Sequence, residues 1–251
     1  MSTAAAFATN AIKYGTRAKF GMMLPSVNAI AEPQITAMLP PGVSLHTTRL
    51  RLVGGGDHLG MLIRLEEATQ LLADAQVDRI MFHCTAVSMW SPEIVGEIRT
   101  RIATVTDIPV VVTSDAVVSA LGAFGARKIV LLTPYTQDVN DREVRFLAHH
   151  GITVLHERGL GIPGGIGMSN VSAEQWYDEA LAMRDPEAEA YFLSCTTIRS
   201  ADVIEPLEHA LGRPVLTSNQ VASWRVLRDA GIDDAVTGLA ILRAARALAL
   251  I

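Results

Sequence analysis

The chain is poor in cysteine, poor in aromatic residues and without any excess of positive charge, and these shortages remove whole classes of function. Two cysteines in 251 residues, with no secretory signal ahead of them, argue for free thiols in a reducing, cytoplasmic setting rather than a disulfide framework. Lysine and arginine number 21 against 26 acidic residues, a net charge of −5, so nothing favours a nucleic-acid partner. No apolar run reaches the roughly 18 residues that a membrane span needs. "GGGD" at 54–57 lacks the Lys-Ser/Thr ending of a phosphate loop, and no G-x-S-x-G nucleophile elbow is present. Neither cysteine has a second cysteine or a spaced histidine beside it, and His83 alone cannot complete a zinc site. "GLGIPG" at 159–164 matches G-x-G-x-x-G in letters only. Pro163 and the further glycines make it a long loop that opens no helix, so it reads as a mobile loop able to close over a cleft. No metal and no cofactor are expected.

What is present is an α/β rhythm. Apolar runs at 19–24, 43–50, 77–82 and 108–113 read as strands, with helices at 59–75 and 92–104. A second series of strands at 128–133, 152–157, 188–194 and 213–218 follows, with helices at 137–150, 172–184 and 201–211. Continuous apolar strands alternating with amphipathic helices predict parallel sheets covered on both faces. The Ala-rich, acid-free start predicts a loosely ordered extension over 1–18. The tail at 236–250 predicts a helix with Arg243 and Arg246 on its wet side.

The second series echoes the first. "KFGMMLPSVN" resembles "KIVLLTPYTQ", "IMFHCTAVS" resembles "YFLSCTTIR", and "IPVVVTSDAVVSAL" resembles "RPVLTSNQVASWRVL", at offsets of 109, 111 and 104 residues. The expected fold is two Rossmann-like lobes related by a pseudo-twofold axis, each a four-stranded parallel sheet flanked by helices. Lobe one takes 19–115 plus 219–251 and lobe two takes 116–218. Ligands of open α/β sheets sit beyond the carboxyl ends of the strands, so six loops should line one cleft: 25–28, 84–88, 114–115, 134–136, 195–197 and 218–219.

The two cysteines then face each other. A lone cysteine usually acts as a small buried hydrophobe, but two in matching contexts at strand ends read as a reacting pair. Helix N–H groups there should lower the thiol pKa and favour the thiolate. Asn28, Thr85, Ser114, Tyr135, Thr196, Thr197, Ser218 and Asn219 supply neutral donors suited to a carboxylate. Ser114, Asp115 and Ser218 read equally well as helix caps. Arg199 and the His149–His150 pair read as solvated, and Trp90, Trp176 and Trp224 as packing.

"GMMLPSVNAIAEPQ", "FHCTA", "LLTPYTQDVND", "LSCTT" and "PVLTSNQVASW" together resemble the maleate cis-trans isomerase branch of the aspartate/glutamate racemase superfamily, to which arylmalonate decarboxylases are close. The resemblance spans about residues 19 to 230. It implies a site between two lobes, no cofactor, no metal, a small carboxylate or dicarboxylate substrate and a homo-oligomer. It further implies Cys84 as the nucleophile that adds to the alkene, Cys195 as acid/base, and Asn28 and Tyr135 as carboxylate ligands, with Thr85, Ser114, Thr196 and Ser218 as further donors. Racemases of the superfamily use both cysteines as opposed bases, and the decarboxylases keep only the second, with glycine in place of the first. Where maleate isomerases carry an asparagine after "IPD", this chain has Gly165, with Asn170 five residues on. "PYTQDVNDREVRFLA" is closer to the decarboxylases, but the two cysteines speak against that activity. The leading expectation is maleate to fumarate isomerisation. A racemase, a decarboxylase and a non-catalytic small-acid binder are the alternatives.

Overall fold

A computed structural model describes residues 13–52 and 58–234. The 54–57 glycine run, the 236–250 tail and most of the N-terminal extension lie outside the described residues. In the first half, β1 (Ala18–Pro25), α1 (Ala31–Met38), β2 (Val43–Leu50), α2 (Leu65–Asp74), β3 (Arg79–Phe82), α3 (Thr85–Ser88), α4 (Ile94–Ala103), β4 (Val110–Val112) and α5 (Thr113–Ala123) follow in order. The second half runs β5 (Lys128–Thr133), α6 (Gln137–His149), β6 (Thr153–Gly159), α7 (Ile166–Ser169), α8 (Ala173–Ala182), β7 (Ala190–Leu193), α9 (Ile204–Leu211), β8 (Val215–Thr217) and α10 (Ser218–Asp229).

The strands form two parallel four-stranded sheets, β2-β1-β3-β4 and β6-β5-β7-β8. The two orders are the same, so the echo in the sequence is an echo in topology. In each sheet the chain changes direction of travel between its first and third strands. The loops that carry Asn28 and Cys84 leave that switch point in one lobe, and those that carry Tyr135 and Cys195 leave it in the other. This crevice is the usual ligand position of such sheets.

Sheet register sharpens the repeat. Phe82 pairs with Val112 and Leu193 with Thr217, so Val112 and Thr217 are equivalent and the third offset is 105, not 104. Thr113 therefore corresponds to Ser218, and Ser114 to Asn219.

Five helices escaped the sequence reading: α1, α3, α5, α7 and α10. α5 and α10 begin immediately after their strands, so Ser114 and Ser218 sit in first helical turns rather than in loops. Both are buried over most of their length with polar residues among the buried ones, so no one-sided apolar stripe marks where the helix begins. α10 packs on α5 and α1. One core cluster joins the first lobe to one face of the second sheet through Ile129, Leu131, Ala190, Phe192 and Leu216. The alternate residues Val130, Leu132, Tyr191 and Leu193 fill a second cluster with Trp176, as a pleat buried on both sides requires.

Candidate functional site

Cys84 follows β3 by two residues and sits at the start of the one-turn helix α3, and Cys195 likewise follows β7 by two residues. Both thiols are free and nearly sealed, at 6% and 3% exposure. One hydroxyl ties their loops together: Ser218 Oγ accepts from Thr85 Oγ1 at 2.9 Å and from the Cys195 N–H at 3.2 Å. Cys195 has φ +151°, a backbone that a side-chain-bearing residue rarely adopts. The Ser218 bond holds it there.

Each sulfur has its own donors. The Thr197 N–H reaches Cys195 Sγ at 3.2 Å and the Tyr135 hydroxyl bonds the same sulfur. Cys84 is served by the N–H groups of Val87 and Ala86. The expected lowering of the thiol pKa is nonetheless not found. Burial pushes Cys84 up to about 12 and Cys195 to about 11, outweighing these donors, because removing a thiolate from water costs more than a few N–H groups return. Burial likewise raises the Tyr135 hydroxyl well above its ordinary value.

The first lobe grips the Cys195 loop. Asn28 Nδ2 donates to Thr196 Oγ1 at 2.9 Å and to Thr196 O at 3.2 Å, while Asn28 Oδ1 accepts from the N–H groups of Ile30 and Ala31. Its amide is therefore fully engaged by protein in this closed form. Gln34 Nε2 donates to Ile198 O at 3.0 Å, and Asn219 Nδ2 to Gln34 Oε1 at 2.7 Å. Asn219 Oδ1 meets His83 Nε2 at 2.8 Å, and the opposite ring nitrogen faces Thr113 Oγ1 at 2.9 Å. An amide oxygen only accepts, so Nε2 carries the proton. Burial drops the His83 pKa to about 4, so the ring is neutral. Asn219→Ala leaves this buried N–H unpaired and is expected to cost about 1–3 kcal/mol, read as a lower urea midpoint at unchanged slope.

Hydrogen bonds tie together most of the residues named from sequence: Asn28 to Thr196, Thr85 and Cys195 to Ser218, and Tyr135 to Cys195. Cys84, Cys195, Asn28, Tyr135, Thr85, Ser114, Thr196 and Ser218 are all buried at the carboxyl ends of the two sheets. Neither serine caps its helix. Thr217 caps α10 in a capping box with Gln220, and Val112, at the cap of α5, makes no side-chain bond. Ser114 Oγ is buried without a partner. Asp115 is ion-paired with Arg99 at 2.6 Å.

Leu160, Gly161 and Ile162 donate their N–H groups to the carbonyls of Thr133, Tyr135 and Pro134, which pins the start of the loop after β6 against the Tyr135 turn. Gly159 permits this approach, since a Cβ there would lie 2.5 Å from Tyr135 O. Gly165 has φ +68° and open space around it, and Asn170 is exposed at the end of α7. Gln34, Ser194 and Glu143 were missed. For Glu143 a signal existed: Val139, Glu143, Phe146 and Leu147 share one helical face, so an acid sits where the core side should be. Among the described residues no cluster of three or more His, Cys, Asp or Glu could hold a metal ion.

The family model described as arylmalonate decarboxylase matches residues 21–242. Maleate isomerase of Nocardia farcinica is 27% identical over 233 residues, 88% of this chain and 93% of that one. Arylmalonate decarboxylase of Bordetella bronchiseptica is 34% identical over 128 residues, 50% of this chain and 53% of that one. A solved mutant of the Nocardia farcinica maleate cis-trans isomerase, with a covalently bound succinylcysteine intermediate, superposes with a TM-score of 0.83 at 24% identity, covering 88% of this chain and 96% of that one.

Proposed function

The chain belongs to the arylmalonate decarboxylase family, and from that premise we propose that it is a cofactor-independent cis-trans isomerase of a small unsaturated dicarboxylate, with maleate to fumarate as its reaction. The observation that carries this reading is the pair of cysteines at equivalent positions of two equivalent lobes, each sulfur facing donors and both loops joined through Ser218. The decarboxylase reading has one observation behind it. Gly165 offers no polar side chain, and Leu160, Ile162, Met168 and Val171 pack in the cluster that holds Tyr135 and Cys195.

In the proposed mechanism Cys84 attacks one alkene carbon as the thiolate, and Cys195 gives its proton to the other carbon. The carbon–carbon double bond becomes single and turns. Cys195, now the thiolate, removes a proton from the carbon it had protonated, the C–S bond breaks, and the trans product leaves with Cys84 again anionic. One negative charge thus moves from one sulfur to the other and back. The donors at each sulfur offset part of the cost of holding that charge in a buried site. Tyr135 and Ser218, whose hydroxyl accepts two bonds and keeps its own proton to give, are the groups left to bind carboxylates. Substrate enters only when the closed cleft opens.

Proton NMR of the reduced protein with maleate in deuterium oxide tests the reading. Fumarate is the expected product. Release of carbon dioxide from a disubstituted malonate, or deuterium entering an α-carbon without it, would replace isomerase by decarboxylase or racemase.

A further inference from the structure

Glu143, in the middle of α6, is fully buried, and neither of its carboxyl oxygens makes a hydrogen bond of ordinary geometry; the Ser194 hydroxyl is near enough to favour its charge but does not complete a bond. An unpartnered buried acid is costly to keep. The internal twofold shows what position it occupies. Lys19 pairs with Ser44 and Lys128 with Thr153, so the 109-residue offset holds both before and after the first long helix of each lobe, and Glu143 is the counterpart of Gln34. Ser194 is the counterpart of His83, immediately before each cysteine, and Ser114 is the counterpart of Asn219.

In the first lobe these three positions form a closed chain. Gln34 accepts from Asn219, and Asn219 accepts from His83. That chain fixes the residue before Cys84. In the second set all three positions are again polar and buried, yet Glu143 Oε1 and Oε2, Ser114 Oγ and Ser194 Oγ make no hydrogen bond of ordinary geometry, Ser194 only standing near Glu143. We propose that Glu143 is a positioning residue for the chemistry at Cys195, serving it as Gln34 serves Cys84, and that it does so as the neutral acid. The proposal rests on the two cysteines being the reacting pair.

The neutral form is the working one for two reasons. A protonated carboxyl has what the Gln34 amide has, a donor and an acceptor, and so can bond serine hydroxyls in either sense. The ionised form only accepts, and it sets a fixed negative charge near Cys84, Cys195 and Tyr135, raising the pKa of each. A reaction that carries one thiolate is disfavoured by a second anion beside it. Among the described residues no cation offsets that charge: burial raises the Glu143 pKa to about 8, and only Ser194 pulls the other way. The ionisable groups of the surrounding elements include Asp115 of α5 with its partner Arg99, Glu157 of β6, held by Gln137 and Asn140, His156 and Arg158 of β6, paired with Asp185 and Glu179, Arg142 of α6, paired with Asp138 and stacked on Trp90, and His150 beyond α6. A carboxyl whose value is raised keeps its proton at neutral pH and loses it as pH rises, so on the alkaline side its ionisation cancels the gain in Cys84 thiolate.

The test is the pH profile of kcat/KM for the full chain, Glu143→Gln and Glu143→Leu, together with the infrared difference between the wild type and Glu143→Gln. Cys84 must be a thiolate to attack and has a pKa of about 12, so kcat/KM rises about tenfold per pH unit until Glu143 ionises; the wild type is expected to show a flat limb above about 8, where that ionisation cancels the rise. Glu143→Gln, which installs the first lobe's own residue, removes that limb and stays within about threefold of the wild type at pH 7. Glu143→Leu also removes the limb but lowers kcat about tenfold at pH 7, with KM little changed. An unchanged limb in Glu143→Gln, or a leucine variant equal to wild type at pH 7, overturns the proposal. The difference spectrum should show a carboxylic-acid band at pH 7 that gives way to carboxylate above pH 8. Carboxylate already present at pH 7 overturns the neutral acid whatever the enzyme turns over. The expected spectrum in a protein that isomerises nothing would sink the assigned reaction and leave the charge state of Glu143 standing.

Discussion

Cys195→Ser is expected to abolish turnover and to trap the substrate on Cys84. With the acid/base thiol gone, addition can still proceed slowly by drawing a proton from a weaker donor. Removal of that proton, which releases the trans product, has no base. Intact-protein mass spectrometry after incubation with maleate should show a gain of one substrate, mapped to Cys84 by digestion. Cys84→Ser should show no adduct. Both variants should lose at least about 10³-fold in kcat/KM, on the order of 4 kcal/mol of transition-state stabilisation. Folding should survive in both, because a serine hydroxyl can accept the Thr197 N–H in place of Cys195 Sγ. An adduct on Cys195 in the Cys84 variant, or turnover within tenfold of wild type in either, would reverse or remove the assigned roles.

The second large effect belongs to Tyr135. Its hydroxyl donates to the Cys195 sulfur and lowers that thiol's pKa, and it is one of the few donors free to turn toward a carboxylate. Tyr135→Phe keeps the buried ring and removes both functions. The Cys195 pKa then climbs above its value of about 11, so the thiolate formed in the proposed mechanism becomes harder to reach. A loss of about 10² to 10³-fold in kcat is expected, the scale of one lost donor at a developing charge. Alkylation of Cys195 by a small haloacetamide should need a higher pH in the variant. A kcat within twofold of wild type would show that Tyr135 only packs.

The central strands were legible because a strand buried on both faces writes itself as a nearly unbroken apolar run; the half-exposed edge strands β2 and β6 carry polar residues, and the order within each sheet came from the structure. α5 and α10 were not, because each follows its strand without a break and is buried over most of its length, polar residues included. The site residues were found where a short polar motif ends a strand. Gln34 and Glu143 lie inside helices, several residues past any strand end, and carry no such marker.

By itself the sequence determined two repeated α/β units, the lobe carrying each cysteine, and the placement of both at strand ends. These are local or periodic properties, and periodicity survives in one dimension. Only the tertiary structure decided the state of the thiols. Local sequence places N–H groups beside each sulfur, which lowers a thiol pKa, but burial from both lobes outweighs them and raises it. Only the tertiary structure could show that Asn28 reaches Thr196 across 168 residues of chain. It also decided that one lobe closes its polar chain around His83 while the other keeps an unpartnered acid. Solvent exclusion and contacts between distant segments arise only when the two sheets are packed together.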